Sequence, residues 1–321
     1  MGLFFGLLAP VPIFLGYQPE EFDVQDANWP PPHSRQRISL PSGFSSVVFQ
    51  DDFSTQPAGS QPSASKWTVD TGTGYSGGPS NWGTNEVETY TNSKDNLVIT
   101  SSGTLLITPL NNGGRWTSAR IETKAASDVG CRAGGKLRIE ASLKFGSASA
   151  ASQMGIWPSF WALGAGFRGN YKQWPAVGEI DIAESINGAA TAWQTLHCGS
   201  APNGPCNEYN GIGSTAAFSR GQFHTVAVEI DRTNGGDWRG ETLTWFIDGR
   251  QTASISGSRI NNEQAWTAVT RSSKFLILNV AVGGDFPNNA ANDGLVRTPT
   301  AQTAGGAGAA LEVRYVAVFS T

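Results

Sequence analysis

Hydrophobic and polar positions alternate along much of the chain after residue 95. In Lys136–Phe145 every second residue is apolar and those between are Lys, Arg, Glu or Ser, which is the period of a strand with one buried face. Similar patterns predict strands over residues 225–231, Thr242–Ile247 and 311–319. The nearly continuous apolar run of residues 275–282 indicates a strand buried on both faces.

Turn signals separate these runs at short intervals. Ser-Ser-Gly joins two β-rich runs, residues 96–100 and 104–108, which predicts a hairpin, and Asp248-Gly249 predicts a turn after the strand that precedes it. No amphipathic helical pattern of about 12 residues or more is evident. The chain is therefore expected to be all-β, a sandwich or jelly roll of antiparallel sheets.

Composition agrees with this expectation and narrows the function. The 321 residues include 39 Gly and 17 Pro, which suit many short strands joined by tight turns. Charged residues make up 15% and the net charge is −4, so nothing favours nucleic acid or an anionic membrane surface as a partner. There are 11 Trp against 2 Met. Indole rings fill cores, but they also form flat platforms for sugar faces.

The N-terminal region does not follow the strand pattern. Residues 1–16 are apolar but contain Pro10 and Pro12, and no basic residue precedes Arg35. The segment is shorter than the roughly 20 apolar residues of a membrane span, so a signal peptide, an anchor remnant and a packed extension stay open. Residues 17–43 are predicted to be a linker, and residues 44–321 a single β-domain.

The three cysteines predict one disulfide. Cys198 and Cys206 flank a loop rich in Gly, Pro and Asn, which could close as a small disulfide in an exported protein. Cys131 would then be a buried free thiol. Zinc is the alternative, but His197 beside Cys198 does not complete a four-ligand pattern.

The main chemical signal is an acidic cluster within a strand-like segment. Residues 178–184 read Gly-Glu-Ile-Asp-Ile-Ala-Glu. On a strand, Glu179 and Asp181 point to the same face, whereas Glu184 would point to the other. One extra residue at Ile182 or Ala183 would form a β-bulge and return Glu184 to the first face. We therefore predict three carboxylates in a row.

Such a row suits a retaining glycosidase, in which two carboxyl groups lie about 5–5.5 Å apart. Asp181 could hydrogen-bond Glu179 and, by its charge, help to keep a proton on Glu184. An acidic strand edge and a set of calcium ligands are the alternatives. Tryptophans close upstream, at 157, 161 and 174, favour the sugar-cleaving interpretation.

These residues resemble family-16 glycoside hydrolases, and within that family the laminarinase-like β-1,3-glucanases. The six-residue E-x-D-x-x-E form is similar to the laminarinase type, whereas a shorter E-x-D-x-E form marks lichenase-like members. The resemblance extends from about residue 45 to 321, and the segments that carry it occur in the expected order at 83–90 (GTNEVETY), 117–121 (TSARI), 157–161 (WPSFW) and 278–284 (LNVAVGG).

The resemblance implies a jelly-roll sandwich of two antiparallel sheets with a concave substrate cleft. It implies Glu179 as nucleophile, Glu184 as general acid/base and Asp181 as their helper. Five further residues match substrate-binding positions of the family: Trp174, Trp161, His197, Asn85 and Arg120. No cofactor is expected to be required. Many relatives hold a structural calcium, and Asp51 and Asp52 are candidates to help bind one here.

Several of these residues also have plain structural interpretations. His197 could be a satisfied core histidine, and Arg120 a solvated ion-pair partner. Trp157 is expected in the core, because Pro158 fixes it beside an apolar strand, and His224 is expected to be structural. Residues 71–80 and the loop 198–206 match no family segment and could reshape the ends of the cleft.

The sequence thus predicts a secreted or cell-wall monomer that hydrolyses β-1,3-glucan internally with retention of configuration. Cleavage of mixed β-1,3/1,4-glucan and transglycosylation are alternatives on the same fold. A lectin-like protein that binds glucan without cutting it is the alternative from another class, and its signature would be the loss of one catalytic acid.

Overall fold

The computed structural model describes residues 38–291 and 294–321. Its strands alternate with short turns, as the sequence pattern predicts. They are β1 (Ser46–Asp51), β2 (Trp67–Asp70), β3 (Thr89–Tyr90), β4 (Leu97–Ile99), β5 (Leu105–Ile107), β6 (Leu110–Asn112), β7 (Arg115–Ser118), β8 (Arg120–Thr123), β9 (Lys136–Phe145), β10 (Ile156–Gly164), β11 (Glu179–Glu184), β12 (Thr191–His197), β13 (Ile212–Ala217), β14 (His224–Asp231), β15 (Thr242–Ile247), β16 (Arg250–Ser256), β17 (Lys274–Val282) and β18 (Leu311–Ser320). The α-helices are α1 (Gly257–Ile260), α2 (Glu263–Thr270) and α3 (Asp285–Ala290).

Two large antiparallel sheets contain most of the strands. The first sheet has the order β16-β15-β14-β9-β18-β5-β4, and β1 also pairs with β18. The second sheet has the order β13-β12-β11-β10-β17-β8-β2. A small third sheet joins β3, β7 and β6. This is the predicted jelly-roll sandwich.

The core lies between the two large sheets. Alternate residues of the first sheet, such as Ile139 and Val228, pack with Ile180 and Leu278 of the second in one buried cluster. Full burial of each such side chain contributes about 1.5–3 kcal/mol. Because side chains alternate along a strand, the other face of the second sheet is free for polar groups. We call this other face the site face.

The strands predicted from the sequence are present. The 96–108 hairpin is β4 paired with β5. The apolar run 275–282 lies within β17, which is buried along its whole length. It lies between β10 and β8, and two of its residues outside the main core, Phe275 and Ile277, pack in a second apolar cluster.

The described residues begin inside the predicted linker. Ile38 already packs near Tyr315 and Phe319 of the first sheet. The predictions for residues 1–16, and for the linker up to residue 37, lie outside the described residues. Within the described residues, no helix is long and apolar enough to cross a membrane.

The cysteine prediction is confirmed. Cys198 and Cys206 form a disulfide across eight positions of the chain. Cys131 is a buried free thiol, and burial raises its pKa to about 11.

Candidate active site

Strand β11 contains the predicted β-bulge. Against β10, Asp181 pairs with Trp161 and Ala183 pairs with Phe160, so Ile182 is the extra residue. The register against β12 shifts at the same place. Ile182 and Ala183 both enter the core, and Glu184 returns to the site face with Glu179 and Asp181.

Two side chains satisfy the backbone carbonyls that the bulge takes out of register. The indole N–H of Trp245, in the first sheet, donates to the carbonyl of Asp181 at 2.8 Å. The amide of Gln194, on the neighbouring strand, donates to the carbonyl of Ile182 at 3.3 Å. Buried carbonyls without partners are costly, so these bonds make the irregular backbone stable where it positions Glu184.

Glu184 is held by two donors on the site face. Its Oε1 accepts the indole N–H of Trp157 at 2.8 Å and the hydroxyl of Ser159 at 3.1 Å. The prediction that Trp157 belongs to the core is therefore wrong. Trp157 precedes Pro158 on β10, and strand alternation places its ring on the site face, the side of the sheet that carries the acids.

His197 faces two carboxylates beside the acid pair, those of Asp181 and Glu208. It lies opposite Glu179 in the β11–β12 ladder. Its Nε2 is 3.4 Å from Asp181 Oδ2, and its Nδ1 is 2.7 Å from Glu208 Oε2. His197 is thus satisfied at both ring nitrogens, but its partners are carboxylates at the site face and not groups of the core. Its predicted contact with substrate stays a prediction.

Burial and mutual repulsion control the proton affinities of the cluster. Burial, followed by the charge of Asp181, raises the pKa values of both Glu179 and Glu184 above their usual range. Burial alone would lower the pKa of His197, but hydrogen bonds to Asp181 and Glu208 outweigh it and raise that pKa. The site therefore retains protons at neutral pH.

Trp161 and Arg120 form a packed unit beside the acids. The indole N–H of Trp161 donates to Asn279 Oδ1 at 2.8 Å. Arg120 is 4% exposed, pairs with Asp70 at 3.2 Å, and lies 4.8 Å from the ring centroid of Trp161. Arg120 is thus an ion-pair partner, but a buried one and not the solvated one considered above. Its predicted contact with sugar hydroxyls stays a prediction.

Asn85 and Trp174 occupy exposed or half-buried positions. The Asn85 amide donates to both carboxylate oxygens of Asp285, at 3.1 and 2.9 Å. The ring of Trp174 lies 5.5 Å from that of His197 and stacks on Tyr209 at 6.1 Å. Tyr209 is 67% exposed, so the two rings present aromatic surface next to the acids. Their contact with substrate stays a prediction.

Both loops that match no family segment pack around the site. In the first, Tyr75 stacks on Tyr171 at 4.4 Å and accepts a hydrogen bond from Arg120 at 3.3 Å. The second, closed by the disulfide, leads directly to Glu208 and Tyr209. Each loop therefore adds groups next to those that the family pattern predicts.

Asp51 and Asp52 do not fit the predicted calcium role. Asp51 Oδ2 accepts the indole N–H of Trp67 at 2.8 Å, and the ammonium of Lys66 lies 3.4 Å from Oδ1. Asp52 Oδ1 accepts the backbone N–H of Ser54. Calcium needs about six to eight oxygen ligands, whereas Asp51 already faces an indole N–H and an ammonium. It joins β1 to β2.

Within the described residues, three side chains that could ligate a metal ion lie together: the donor atoms of Glu179, Asp181 and His197 are within 4.8 Å of one another. The spacing alone would accept an ion. His197 already pairs with Asp181 through Nε2, however, so the contacts are those of an acid–base cluster.

Sequence reasoning missed three contributors to the site. Ser159 donates a hydrogen bond to Glu184, and Glu208 contacts His197. Asn279 accepts the indole N–H of Trp161. Strand alternation on β10 could have placed Ser159 with Trp157 and Trp161 on the site face. No local signal identifies Glu208, which lies in an irregular loop.

Two acidic side chains with a third between them, flanked by indoles on one face of a β-sandwich, are the arrangement expected of a glycoside hydrolase. The comparisons with known proteins agree. A family model described as "XgeA-like, catalytic GH16 domain" matches residues 89–244. The crystal structure of an endo-1,3-β-glucanase from Streptomyces sioyaensis is 42% identical, covers 88% of this chain and 99% of its own, and has a TM-score of 0.81. The chain belongs to glycoside hydrolase family 16.

Curated relatives are longer than the matched region. The clotting factor G alpha subunit of Tachypleus tridentatus is 30% identical over 251 residues, which are 75% of this chain and 30% of that protein. Glucan endo-1,3-beta-glucosidase A1 of Niallia circulans is 26% identical over 301 residues, which are 85% of this chain and 37% of that protein. The chain therefore spans about a third of the length of these two relatives.

Proposed function

We propose that this protein hydrolyses internal β-1,3 linkages of a glucan with retention of anomeric configuration. The observation that carries the proposal is the bulge in β11, which places Glu179, Asp181 and Glu184 on one face of the sheet. Family membership and the 42% identity to an endo-1,3-β-glucanase support the choice of substrate.

In the first step of the proposed mechanism, the Glu179 carboxylate attacks the anomeric carbon. The bond to the glycosidic oxygen breaks, and Glu184 donates its proton to that oxygen. In the second step Glu184, now ionised, takes a proton from water while the water oxygen displaces Glu179 from the anomeric carbon. Two inversions give net retention.

The charges around the cluster support this assignment of roles. The charged groups of His197 and Arg120 lower the pKa of Glu179 against the effect of burial. Glu184 accepts its hydrogen bonds from the uncharged Trp157 and Ser159. A proton shared by the cluster is therefore expected on Glu184, which leaves Glu179 ionised to attack.

The protein is proposed to act outside the cytosol and without a cofactor. The Cys198–Cys206 disulfide supports export, because disulfides persist in oxidising compartments. The two-carboxylate mechanism needs only water as co-reactant.

Product analysis tests the proposal. Laminarin, barley mixed-linkage glucan and a β-1,4-only glucan are each incubated with the wild type, with Glu179→Gln and with Glu263→Gln. We expect oligosaccharides from laminarin with the wild type and with the control Glu263→Gln, because Glu263 is an exposed residue of α2. We expect none with Glu179→Gln. Proton NMR of fresh products should show the β-anomer first.

Each other result has a defined meaning. An initial α-anomer would contradict retention, and preferential cleavage of the barley glucan would move the specificity to mixed linkages. Binding of laminarin by the folded wild type without cleavage of any of the three glucans would overturn hydrolysis in favour of a glucan-binding role.

A further inference from the structure

We propose that Glu208 is a positioning residue that keeps His197 doubly protonated and so directs the proton of the acid cluster to Glu184. The proposal rests on the function proposed above and extends it to a residue outside the family motif. Glu208 touches none of the reacting groups and acts through His197.

Glu208 is buried and fully engaged. Its side chain is 0% exposed. Oε2 lies 2.7 Å from His197 Nδ1, and Oε1 accepts the backbone N–H of Cys198 at 2.7 Å. A carboxylate held at both oxygens has one orientation, so its charge is fixed next to the imidazole.

The two carboxylates decide the protonation of the ring. Glu208 accepts at Nδ1, which therefore carries a hydrogen. Nε2 lies 3.4 Å from Asp181 Oδ2, where a bare nitrogen lone pair would face a carboxylate. Both nitrogens therefore carry hydrogen, and the ring is an imidazolium.

That positive charge acts on the neighbouring acids. The titratable groups that face His197 are Asp181 and Glu179 from β11 and Glu208 from the loop, and Arg120 adds a positive charge near Glu179. The imidazolium favours the ionised form of Glu179, which lies opposite it in the β11–β12 ladder. The remaining proton is left on Glu184.

The loop that carries Glu208 is anchored on both sides of the histidine. The disulfide ties Cys206, two residues before Glu208, to Cys198, the residue after His197. On the other side Gly211 passes the ring so closely that a Cβ would lie 2.8 Å from His197 Cε1. The anchored loop fixes the distance between Glu208 and the imidazole.

The primary test is a direct titration of His197 by NMR in the full chain. The sequence has only three histidines, His33, His197 and His224, so imidazole signals can be assigned with His33→Gln and His224→Gln. In Glu208→Gln we expect the His197 midpoint to fall by about one pH unit or more, because an adjacent opposite charge is lost. Glu208→Asp keeps the charge and should restore part of the shift.

The kinetic test uses laminarin. In Glu208→Gln the alkaline limb of the kcat profile should move to lower pH, because His197 loses its proton earlier. Without that positive charge Glu179 is no longer held ionised, and the proton of the cluster is no longer directed to Glu184. At a pH one unit above the new limb, kcat should be roughly a tenth of the wild-type value. KM should stay within about twofold, because Glu208 does not reach the surface.

Asp248→Asn is the matched control. Asp248 makes the same 2.7 Å contact with Nδ1 of His224, in the first sheet, away from the acids. We expect it to leave both the His197 titration and the kcat profile as in the wild type.

The two readouts separate the proposals. An unchanged His197 midpoint in Glu208→Gln overturns this inference even if laminarin is cleaved, and equal behaviour of Glu208→Asp and Glu208→Gln overturns it as well. A shifted midpoint with an unmoved kcat profile overturns the link to Glu184. If no glucan is cleaved, the proposed function fails, while the titration still decides the role of Glu208 in charging His197.

Discussion

Glu179 and Glu184 have the same side chain and lie on the same face of one strand, but their neighbours differ. Glu179 lies opposite His197, which carries a positive charge when protonated, whereas Glu184 accepts from the neutral indole of Trp157. Burial disfavours ionisation of both. In the proposed mechanism, the environment of each carboxyl group, and not its residue type, distinguishes the nucleophile from the acid.

Trp157→Phe should move the alkaline limb of the laminarin kcat profile in the direction opposite to Glu208→Gln. The indole N–H stabilises the ionised form of Glu184, so its loss should raise the pKa of that group further, by about one unit. The limb then moves to higher pH. The measurement is kcat against pH for both variants.

Trp193→Phe provides the matched control for this residue. Trp193 contacts the same Phe286 ring that Trp157 contacts, at 5.8 Å, and within the described residues its indole N–H reaches no carboxylate. The alkaline limb of the kcat profile of Trp193→Phe should stay at the wild-type position. An equal shift in both variants would show that aromatic packing, and not the hydrogen bond, sets the pKa of Glu184.

At the level of the strand, the irregularity of β11 is what brings its three acids to one face. A regular strand would send Glu184 into the core, and the inserted Ile182 prevents this. The irregularity depends on neighbours, since Gln194 and Trp245 supply the donors that the ladder does not. The bulge is therefore a joint property of β11, β12 and the opposing sheet.

Gln194→Met should weaken the bulge while keeping the side chain about the same size. The carbonyl of Ile182 loses its donor in a buried place, which costs about 1–3 kcal/mol of unfolding free energy. We also expect kcat on laminarin to fall, because Glu184 is no longer held in place. Urea unfolding and steady-state kinetics measure the two effects.

Thr252→Val is the companion variant for Gln194→Met. It removes the 2.6 Å bond from the Thr252 hydroxyl to Gln194 Oε1 but leaves the amide donor in place. The loss of stability and of kcat should be smaller. Wild-type stability and kcat in Gln194→Met would contradict a supporting role for this side chain.

The sandwich as a whole contains a charged group that opposes its folding. Lys274, at the start of β17, is 1% exposed, and its ammonium donates to the carbonyls of Ala268 and Ser272. Burial lowers the pKa of Lys274 to about 7 from its usual 10.5. Between these values the unfolded chain binds this proton more tightly, so stability from this group rises with pH.

Lys274→Met should remove this pH dependence. Between pH 7 and pH 9 the unfolding free energy of the wild type should rise relative to the variant, by at most about 1.4 kcal/mol per pH unit. Urea unfolding at several pH values measures the difference. Lys172→Met is the control, because Lys172 is exposed. Parallel curves for the wild type and Lys274→Met would contradict a depressed pKa.

The sequence by itself determined the strand pattern, the position of the acids and the disulfide. Alternation in Lys136–Phe145 and the run within β17 follow from local burial preferences, which neighbouring residues along the chain express directly. The spacing of Glu179, Asp181 and Glu184 required a bulge for all three to share a face, and β11 has one. Family resemblance added the order of the segments.

Only the tertiary structure decided the partners of these residues. Trp245 reaches Asp181 across 64 positions of the chain, and Trp157 reaches Glu184 across 27. Glu208 meets His197 through a loop with no regular pattern. Asp51, a predicted calcium ligand, accepts the indole N–H of Trp67 instead. Such contacts depend on strand register and on how the two sheets close on each other, which no local pattern in a single chain encodes.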